Sequence, residues 1–129
     1  MDFSDISDGL VRLLGLRFDE TSPDRVVISW TVTPDHFQPA GLVHGGVFCS
    51  VVETAASIGA ALWLGDRGDV VGVANHTDFL RGVREGELRG VATPIHRGRS
   101  QQLWLVEIHD EQERLVARGE VRLQNLAPR

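Results

Sequence analysis

The residues best suited to chemistry stand at the entrance to the most apolar segment of the chain. His44-Gly45-Gly46 precedes a run from 47 to 64 whose single charged side chain is Glu53. If that run is a helix, its first backbone N–H groups point outward at the positive end of the dipole, where they can polarise a carbonyl group. An ionisable side chain inside such a helix is costly, so Glu53 is predicted to have a chemical role.

The spacing of Gly45 and Glu53 limits how they can act together. They are eight residues apart, about 12 Å along a helix, which is too far for both to flank one reacting carbon. We therefore predict that, if both act on one substrate, they come from different subunits. Ser57 follows Glu53 by one helical turn, within reach of its carboxylate or of a water. Gln38, in the preceding loop, supplies a neutral amide that can donate and accept.

Each of these residues also has a purely structural interpretation. The glycines are equally consistent with a tight turn, Glu53 with a buried acid bonded to loop amides, and Ser57 with a packing residue bonded to its own helix. Cys49 is interpreted as a small hydrophobe. No metal site is expected, because no two histidines have the spacing of helical metal ligands and none has a cysteine partner. The histidines considered are His36, His44, His76 and His96.

The apolar segment from 47 to 64 must position these groups. It lacks proline, is rich in Ala, Val and Leu, and ends at Gly65, as expected for a buried helix about 27 Å long. A shorter amphipathic helix is predicted over 4–15, with Ser4 as its cap and Gly15 as its stop. Strand-like runs are 16–19, 25–33, 70–80, 87–95, 101–109 and 115–126.

These elements predict an α+β fold in which an antiparallel β-sheet wraps around one long central helix. Two strands precede the helix and a four-strand meander is expected after it. The chain shows no internal repeat and no linker, so residues 1–129 are expected to form a single domain. An exposed edge of such a sheet would favour pairing with a second copy.

Composition argues against several classes of function. The chain has 129 residues, 42% of them hydrophobic, and a net charge of −5, which makes a general nucleic-acid partner a poor candidate. One cysteine excludes a disulfide framework within the chain. The acidic start of the sequence lacks the basic region of a signal peptide. The apolar segment carries Glu53 and is at the short limit for a membrane span, so a cytoplasmic protein is expected.

The motif at the predicted helix entrance resembles that of the hotdog-fold acyl-CoA thioesterases. Gln38-Pro39-x-Gly41-x-Val43-His44-Gly45-Gly46, followed by Glu53 and Ser57, is similar to one group in particular. That group contains the 4-hydroxybenzoyl-CoA thioesterases, the phenylacetate-pathway thioesterases and the proofreading thioesterases of siderophore synthesis. The resemblance continues through 75–81 and 96–100 into the last strands, and covers nearly all of the chain after about residue 25.

The resemblance implies hydrolysis of acyl-CoA thioesters, with small aromatic or short-to-medium acyl groups, without a cofactor. By this similarity Glu53 is the nucleophile or general base, and the Gly45 N–H polarises the thioester carbonyl. His44 and Gln38 orient the carbonyl and the attacking group, and Ser57 is associated with the water or the departing thiolate. The resemblance also implies that the acid and the glycine come from opposite subunits of a dimer, and that two dimers form a tetramer.

The resemblance also suggests which residues contact the rest of the substrate. The CoA nucleotide is expected on the surface against basic and hydroxyl groups, since the arginine fork can bind two phosphate oxygens at once. For each arginine, a solvated strand edge is an equally good interpretation. The candidates for CoA are Arg81, Arg97, Arg99 and Ser100, and those for the acyl pocket are Phe37, Phe79 and Trp63.

Two other functions stay open at this stage. One is a hydratase or dehydratase of hydroxyacyl thioesters in the same fold, because His36-Phe37 ahead of a helix with an acid resembles the acyl-carrier-protein dehydratases. The His-Gly-Gly entrance argues against this function, since those enzymes have Pro-Gly there. The other is a non-catalytic acyl-CoA-binding protein. The complete set of candidate catalytic residues argues against it.

Overall fold

The computed structural model describes residues 5–128 and centres on the predicted long helix. This helix, α2, spans Gly45–Leu64 and so begins two residues before the predicted segment. His44 caps it in an extended conformation, and Gly65, at φ 59°, ends it in a conformation that favours glycine. Its mostly apolar, mostly buried side chains are covered by the sheet, as expected for a core helix.

Six strands form one antiparallel sheet around α2, which confirms the predicted α+β hotdog architecture. The strands are β1 (Arg17–Thr21), β2 (Val26–Thr31), β3 (Asp69–Phe79), β4 (Glu87–Arg97), β5 (Gln101–His109) and β6 (Leu115–Leu126). Their spatial order is β1-β2-β4-β5-β6-β3.

The predicted four-strand meander is wrong. Only β4, β5 and β6 follow one another in space, and β3 lies at the far edge, paired with β6. The connection 80–86 carries the chain from that edge back to β2, where β4 pairs. Val43 N–H donates to Val83 O at 2.9 Å, so this connection is joined to the loop that leads into α2.

The N-terminal helix is shorter than predicted. The sequence favoured a helix over 4–15, but α1 spans only Leu10–Leu14, because Gly9 adopts φ 66° and ψ −132°, outside the helical region. The predicted stop is confirmed, since Gly15 takes the left-handed conformation and its N–H donates to Arg12 O at 3.1 Å. The predicted cap, Ser4, lies outside the described residues.

By length and composition alone, Gly45–Arg67 is apolar and long enough to cross a membrane, which the sequence analysis did not predict. Most of this stretch is buried inside the sheet, as the core helix of a globular protein would be.

Two buried tryptophans on different strands, Trp30 and Trp104, are the largest side chains of the core between α2 and the sheet. The Trp104 indole donates to Gln102 Oε1 at 2.8 Å, and Gln102 Nε2 donates to the Ala60 carbonyl of α2 at 3.2 Å. Because Gln102 is only 1% exposed, these bonds offset the cost of burying its amide and join β5 to α2.

Gly59 lets α2 approach β5 closely, which gives a prediction about stability. A Cβ atom at Gly59 would lie 2.6 Å from the six-membered ring of Trp104, and both residues are buried. Gly59→Val is therefore expected to lower the free energy of unfolding by about 1–3 kcal/mol, the usual cost of overpacking a core. Urea denaturation followed by far-UV circular dichroism measures the change.

The control for this prediction is the same change in a Trp104→Leu background. The smaller side chain leaves room beside the helix, so Gly59→Val should cost less there. An equal cost in both backgrounds would show that the contact with the indole ring is not the cause.

β3 is an edge strand with one side unpaired among residues 5–128. Residues 71–76 are all exposed, and Val71 and Val73 present apolar side chains with 44% and 54% exposure. An exposed, apolar strand edge favours pairing with another strand. The same edge lies beside the middle of α2, where Glu53 projects.

Candidate active site

The start of α2 presents one backbone donor rather than several. His44 Nδ1 accepts a hydrogen bond from the Gly46 N–H at 2.8 Å, and the His44 N–H donates to His36 O at 2.8 Å. The expectation that every N–H of His44-Gly45-Gly46 points freely outward is therefore wrong for His44 and Gly46. Among residues 5–128, the Gly45 N–H has no acceptor. Since Nδ1 of His44 accepts, Nε2 carries the proton of the neutral ring and is a donor. Gly45 N–H and His44 Nε2 are therefore the donors available at this end of the helix.

Gly45 opens onto a cavity of about 290 Å³ beside the end of β3. A Cβ at this position would lie 2.7 Å from the Phe79 ring, so only glycine lets the ring approach the backbone this closely. Phe48 lies 6.1 Å from Phe79 between ring centroids and forms the aromatic wall with it. The lining residues are Gln38, Leu42, Val43, Gly45, Phe48, Phe79, Leu80, Arg81 and Gly82.

Gln38 is held at this cavity by a closed loop. Its N–H donates to Leu42 O at 2.8 Å, and its carbonyl accepts from Gly41 N–H at 2.9 Å. Its side-chain Oε1 accepts from the Ala40 N–H. Because the amide oxygen is bonded to the loop, the amide NH₂ is the group that Gln38 can offer to a bound molecule.

Glu53 lies on the face of α2 turned toward β3. Ser57 Oγ donates to its Oε2 at 3.3 Å, and Asn75 Nδ2 donates to its Oε1 at 3.2 Å. The predicted pairing of Glu53 with Ser57 is therefore present. The sequence placed this carboxylate in the middle of the core, whereas it is only partly buried in the protomer, because β3 is the edge of the sheet.

The two groups of candidate residues do not meet within one protomer. Gly45, Gln38 and Phe79 surround the cavity at the start of α2, and Glu53 and its partners are not part of the cavity lining. With Gly45 as the first residue of α2, Glu53 is about 12 Å further along the helix axis, as the sequence spacing indicated.

The candidate CoA-binding residues are also divided between the two ends of α2. Arg81 lines the cavity beside Gly45. Arg97, Arg99 and Trp63 line a different cleft of about 520 Å³ at the C-terminal end of the helix, roughly 28 Å from its start, and Ser100 follows Arg99 directly. Trp63 and Phe37, the other residues expected at the acyl pocket, do not line the cavity beside Gly45.

Arg97 is held by several groups at this second cleft. Its guanidinium donates to Asp24 Oδ1 at 2.8 Å and to Pro23 O at 3.0 Å, and lies 5.4 Å from the Trp63 ring centroid. Arg67 lies 4.4 Å from the centroid of the same ring. Arg99 and Ser100 are exposed. Of the predicted residues in this region, Arg99 and Ser100 are thus the most accessible.

His36 has a structural role. It is 3% exposed. Its Nδ1 accepts from Thr33 N–H at 2.9 Å, and its Nε2 lies 2.7 Å from Leu14 O, to which it donates. Both ring nitrogens are thus occupied, and the ring ties the loop after β2 to the end of α1.

Larger clefts elsewhere do not contain the candidate catalytic groups. Clefts of about 520 and 710 Å³ lie around Glu87, Asp110 and Glu111 and are lined mainly by charged residues. In residues 5–128, no three His, Cys, Asp or Glu side chains are grouped so that they could hold a metal ion.

Two residues of the site were not identified from the sequence. Asn75 bonds to Glu53 across 22 positions of sequence, and no local pattern indicates a contact between residues so far apart. Phe48 lines the cavity from the first turn of α2, although the uniformly apolar helix made it look like any other core residue. The sequence offers one signal for Phe48, because it is aromatic and lies three residues after the glycine predicted to polarise the carbonyl.

Comparison with known proteins shows the family to which this fold belongs. Residues 40–117 match the thioesterase superfamily. The solved structure of Rv1847 from Mycobacterium tuberculosis is 51% identical and superposes with a TM-score of 0.89, covering 92% of this chain and 96% of that one. The 1,4-dihydroxy-2-naphthoyl-CoA hydrolase of Escherichia coli is 35% identical over 106 residues, or 82% of this chain and 78% of the relative.

A further relative is the proofreading thioesterase EntH of Cronobacter turicensis. It is 36% identical over 105 residues, or 81% of this chain and 77% of the relative. The superfamily match covers more than half of the sequence, and these similarities extend over most of each relative. The chain therefore belongs to the thioesterase superfamily and is a thioester hydrolase with the hotdog fold.

Proposed function

We propose that this enzyme hydrolyses acyl-CoA thioesters to the free acid and CoA, with Glu53 and Gly45 at its centre. The observation that carries the proposal is the structure of α2. The helix begins with a backbone N–H that has no acceptor among residues 5–128, and its single carboxylate is held by two donors, Ser57 and Asn75. A relative that hydrolyses an aromatic CoA thioester supports the same substrate class.

The proposed reaction begins with the thioester carbonyl bound at the start of α2. The Gly45 N–H and His44 Nε2–H donate to the carbonyl oxygen and stabilise the negative charge that develops there. Such a donor in a preorganised site contributes roughly 3–4 kcal/mol to transition-state stabilisation. The Gln38 amide NH₂ lies at the same cavity and orients the substrate.

Glu53 completes the reaction in one of two ways. As a nucleophile, it bonds to the carbonyl carbon, the C–S bond breaks to release the thiolate, and water then hydrolyses the acyl anhydride. As a general base, it takes a proton from water, whose oxygen attacks the carbon, and then passes that proton to the departing thiolate. Both routes require the carboxylate in its ionised form. Ser57 Oγ donates to one of its oxygens and helps to hold it in place.

We further propose that a second copy of the chain completes the site by pairing along the free edge of β3. Gly45 and Glu53 of one protomer are about 12 Å apart along the helix, so one reacting carbon needs these groups from two protomers. The exposed apolar residues Val71 and Val73 lie on this edge next to Glu53. Pairing of two such dimers would give the tetramer that the family resemblance implies.

The acyl group is proposed to occupy the cavity beside Gly45. Its volume of about 290 Å³ and its aromatic wall of Phe48 and Phe79 suit a small aromatic or short-to-medium acyl chain. Arg81 lies at the same cavity, and Arg99 and Ser100 are the most accessible candidates for the phosphates of CoA. Since CoA thioesters are used in the cytoplasm, we place the enzyme there.

The test is a panel of aromatic and aliphatic acyl-CoA substrates, with release of the free thiol as the signal. We expect thiol release from benzoyl-type and short-to-medium acyl-CoA, with slower release from long acyl chains that exceed the cavity. A flat thiol trace across the whole panel would overturn the proposal in favour of a non-catalytic binding protein.

The structure does not favour the hydratase alternative. That reaction would use His36, but both nitrogens of this buried ring are already bonded. Crotonyl-CoA separates the two reactions, because a hydratase consumes the double bond without releasing thiol. Loss of the enoyl absorbance without free thiol would identify a hydratase instead.

A further inference from the structure

We propose that Asn75 is a positioning residue that fixes the direction of the Glu53 carboxylate. The inference rests on the proposed role of Glu53 as the attacking group or base. Asn75 lies on β3, and its Nδ2 donates both to Glu53 Oε1, at 3.2 Å, and to the Cys49 carbonyl on α2, at 3.1 Å. Its amide therefore joins the edge strand to the helix at the acid.

Thr77 determines which way the Asn75 amide faces. Thr77 Oγ donates to Asn75 Oδ1 at 2.7 Å. With the amide oxygen bonded to this hydroxyl, the NH₂ group is directed at Glu53. An amide turned the other way would place an oxygen against the carboxylate and lose both bonds to α2. The sequence Thr77–Asn75–Glu53–Ser57 is thus a chain of hydrogen bonds in which the carboxylate accepts at both oxygens.

A one-residue bulge in β3 places Asn75 on the inner face of the sheet. Gly72 is opposite Leu123 and Ala74 is opposite Arg122, so Val73 is an extra residue on this strand. Beyond the bulge, Asn75 is opposite Val121, which is fully buried, and opposed residues share a face. Without the extra residue the alternation would continue through Gly72, Ala74 and His76, and Asn75 would face outward.

The strand also provides space for the carboxylate. A Cβ at Gly72 would lie 2.2 Å from Glu53 Oε2, so the acid sits directly over a glycine backbone. The glutamate side chain has several rotatable bonds and is only partly buried, and ordering it costs conformational entropy. Gly72 on one side and the Asn75 amide on the other limit it to one direction, which a reaction sensitive to small displacements requires.

The kinetic test compares Asn75→Ala, Asn75→Asp and Thr77→Val with the parent. Asn75→Ala is expected to lower kcat by about 10- to 100-fold with little change in KM, because misdirecting the acid disturbs the reacting geometry rather than substrate binding. Asn75→Asp has the same shape but places a second carboxylate beside Glu53. Since a like charge disfavours the ionised form, the acidic limb of the kcat/KM profile should move to higher pH by about one unit or more.

Thr77→Val removes only the bond that orients the amide, and it should lower kcat less than Asn75→Ala does. The matched control is Arg122→Ala on β6, an exposed residue opposite Ala74 that does not lie on the free edge of β3. It should behave as the parent. Parent-like kcat in Asn75→Ala, or an acidic limb in Asn75→Asp that stays where the parent has it, would overturn the proposal.

A second measurement does not depend on activity. The side-chain amide resonances of Asn75, followed by two-dimensional nitrogen–proton NMR, should move in Glu53→Gln and in Thr77→Val and stay in place in Arg122→Ala. If the Asn75 resonances did not move in Glu53→Gln, the contact between Asn75 and Glu53 would be overturned. If the parent released no thiol from any acyl-CoA, the proposed function would fail, while these resonances would still decide whether Asn75 holds Glu53.

Discussion

Glu53→Gln is expected to lower kcat for thiol release by about 10²–10⁴-fold, the range for loss of a general base, and by more if Glu53 is the nucleophile. The glutamine side chain has the same shape. With its amide oxygen toward Asn75 Nδ2 it keeps that bond, 3.2 Å in the parent, and its NH₂ then faces Ser57 Oγ, which can accept. It has no charge and cannot take up the proton or form the anhydride. The loss therefore concerns the chemical step. Single-turnover thiol release measures it.

The same variant should keep its fold and its oligomeric size, because the contacts of the carboxylate with β3 are retained. Size-exclusion chromatography and thermal denaturation provide this control. KM should change little, since Glu53 is not part of the cavity proposed to bind the acyl group. Parent-like turnover in Glu53→Gln would show that another group attacks the thioester, and the mechanism would have to be abandoned.

The central helix could be predicted because its signals are local. An apolar run without proline and a glycine stop lie within or next to α2. Helical rise alone then gives the separation of Gly45 and Glu53. For the same reason, the contact between Glu53 and Ser57, four residues apart, was predicted. Properties that depend on one helix are recoverable from the sequence.

The position of β3 could not be predicted, because it depends on pairing between distant segments. A strand followed by another strand usually suggests neighbours, but β3 pairs with β6, about fifty residues later in the chain. The bulge at Val73 changes which residues face α2, and simple alternation therefore gives the wrong face for Asn75. The partial exposure of Glu53 has the same origin, since it follows from β3 being the edge.

The candidate CoA-binding residues illustrate a similar limit. Arg81 follows β3 and Arg97 ends β4. These two arginines nevertheless lie near opposite ends of α2 in one protomer. A sequence does not show which ends of a sheet meet. If two protomers pair antiparallel along β3 with Gly45 of one beside Glu53 of the other, the end of that second α2 lies about 16 Å beyond the shared site. Both clusters could then serve a single substrate.

The proposal that two protomers share each site makes a second large prediction. A Gly45→Pro protein and a Glu53→Gln protein should each be nearly inactive alone, and mixed dimers of the two should recover activity. Proline removes the N–H of Gly45, and losing such a donor costs about 10²–10³-fold in kcat. Gly45 is the first residue of α2, where helices tolerate proline. His44, at φ −64° and ψ 135°, already has the conformation that precedes proline.

Gly45→Ala separates the missing N–H from the added bulk. It places a Cβ against the same Phe79 ring, 2.7 Å away before any adjustment, but keeps the backbone donor. Whatever activity Gly45→Ala loses is attributable to that crowding, and the additional loss in Gly45→Pro is attributable to the N–H. Equal activity in the two variants would exclude the Gly45 N–H as the group that polarises the carbonyl.

The mixed dimer then distinguishes a shared site from a site within one protomer. If Gly45 and Glu53 of different protomers form each site, a mixed dimer has one site with both defects and one with neither. Random association of equal amounts makes half of the dimers mixed, so specific activity should rise to about one quarter of the parent value. If both groups acted within one protomer, every site would keep one defect and mixing would recover nothing. Co-refolding of differently tagged variants, followed by thiol release, decides between these outcomes. Because Gly45 and Glu53 lie about 12 Å apart along one helix, we expect recovery.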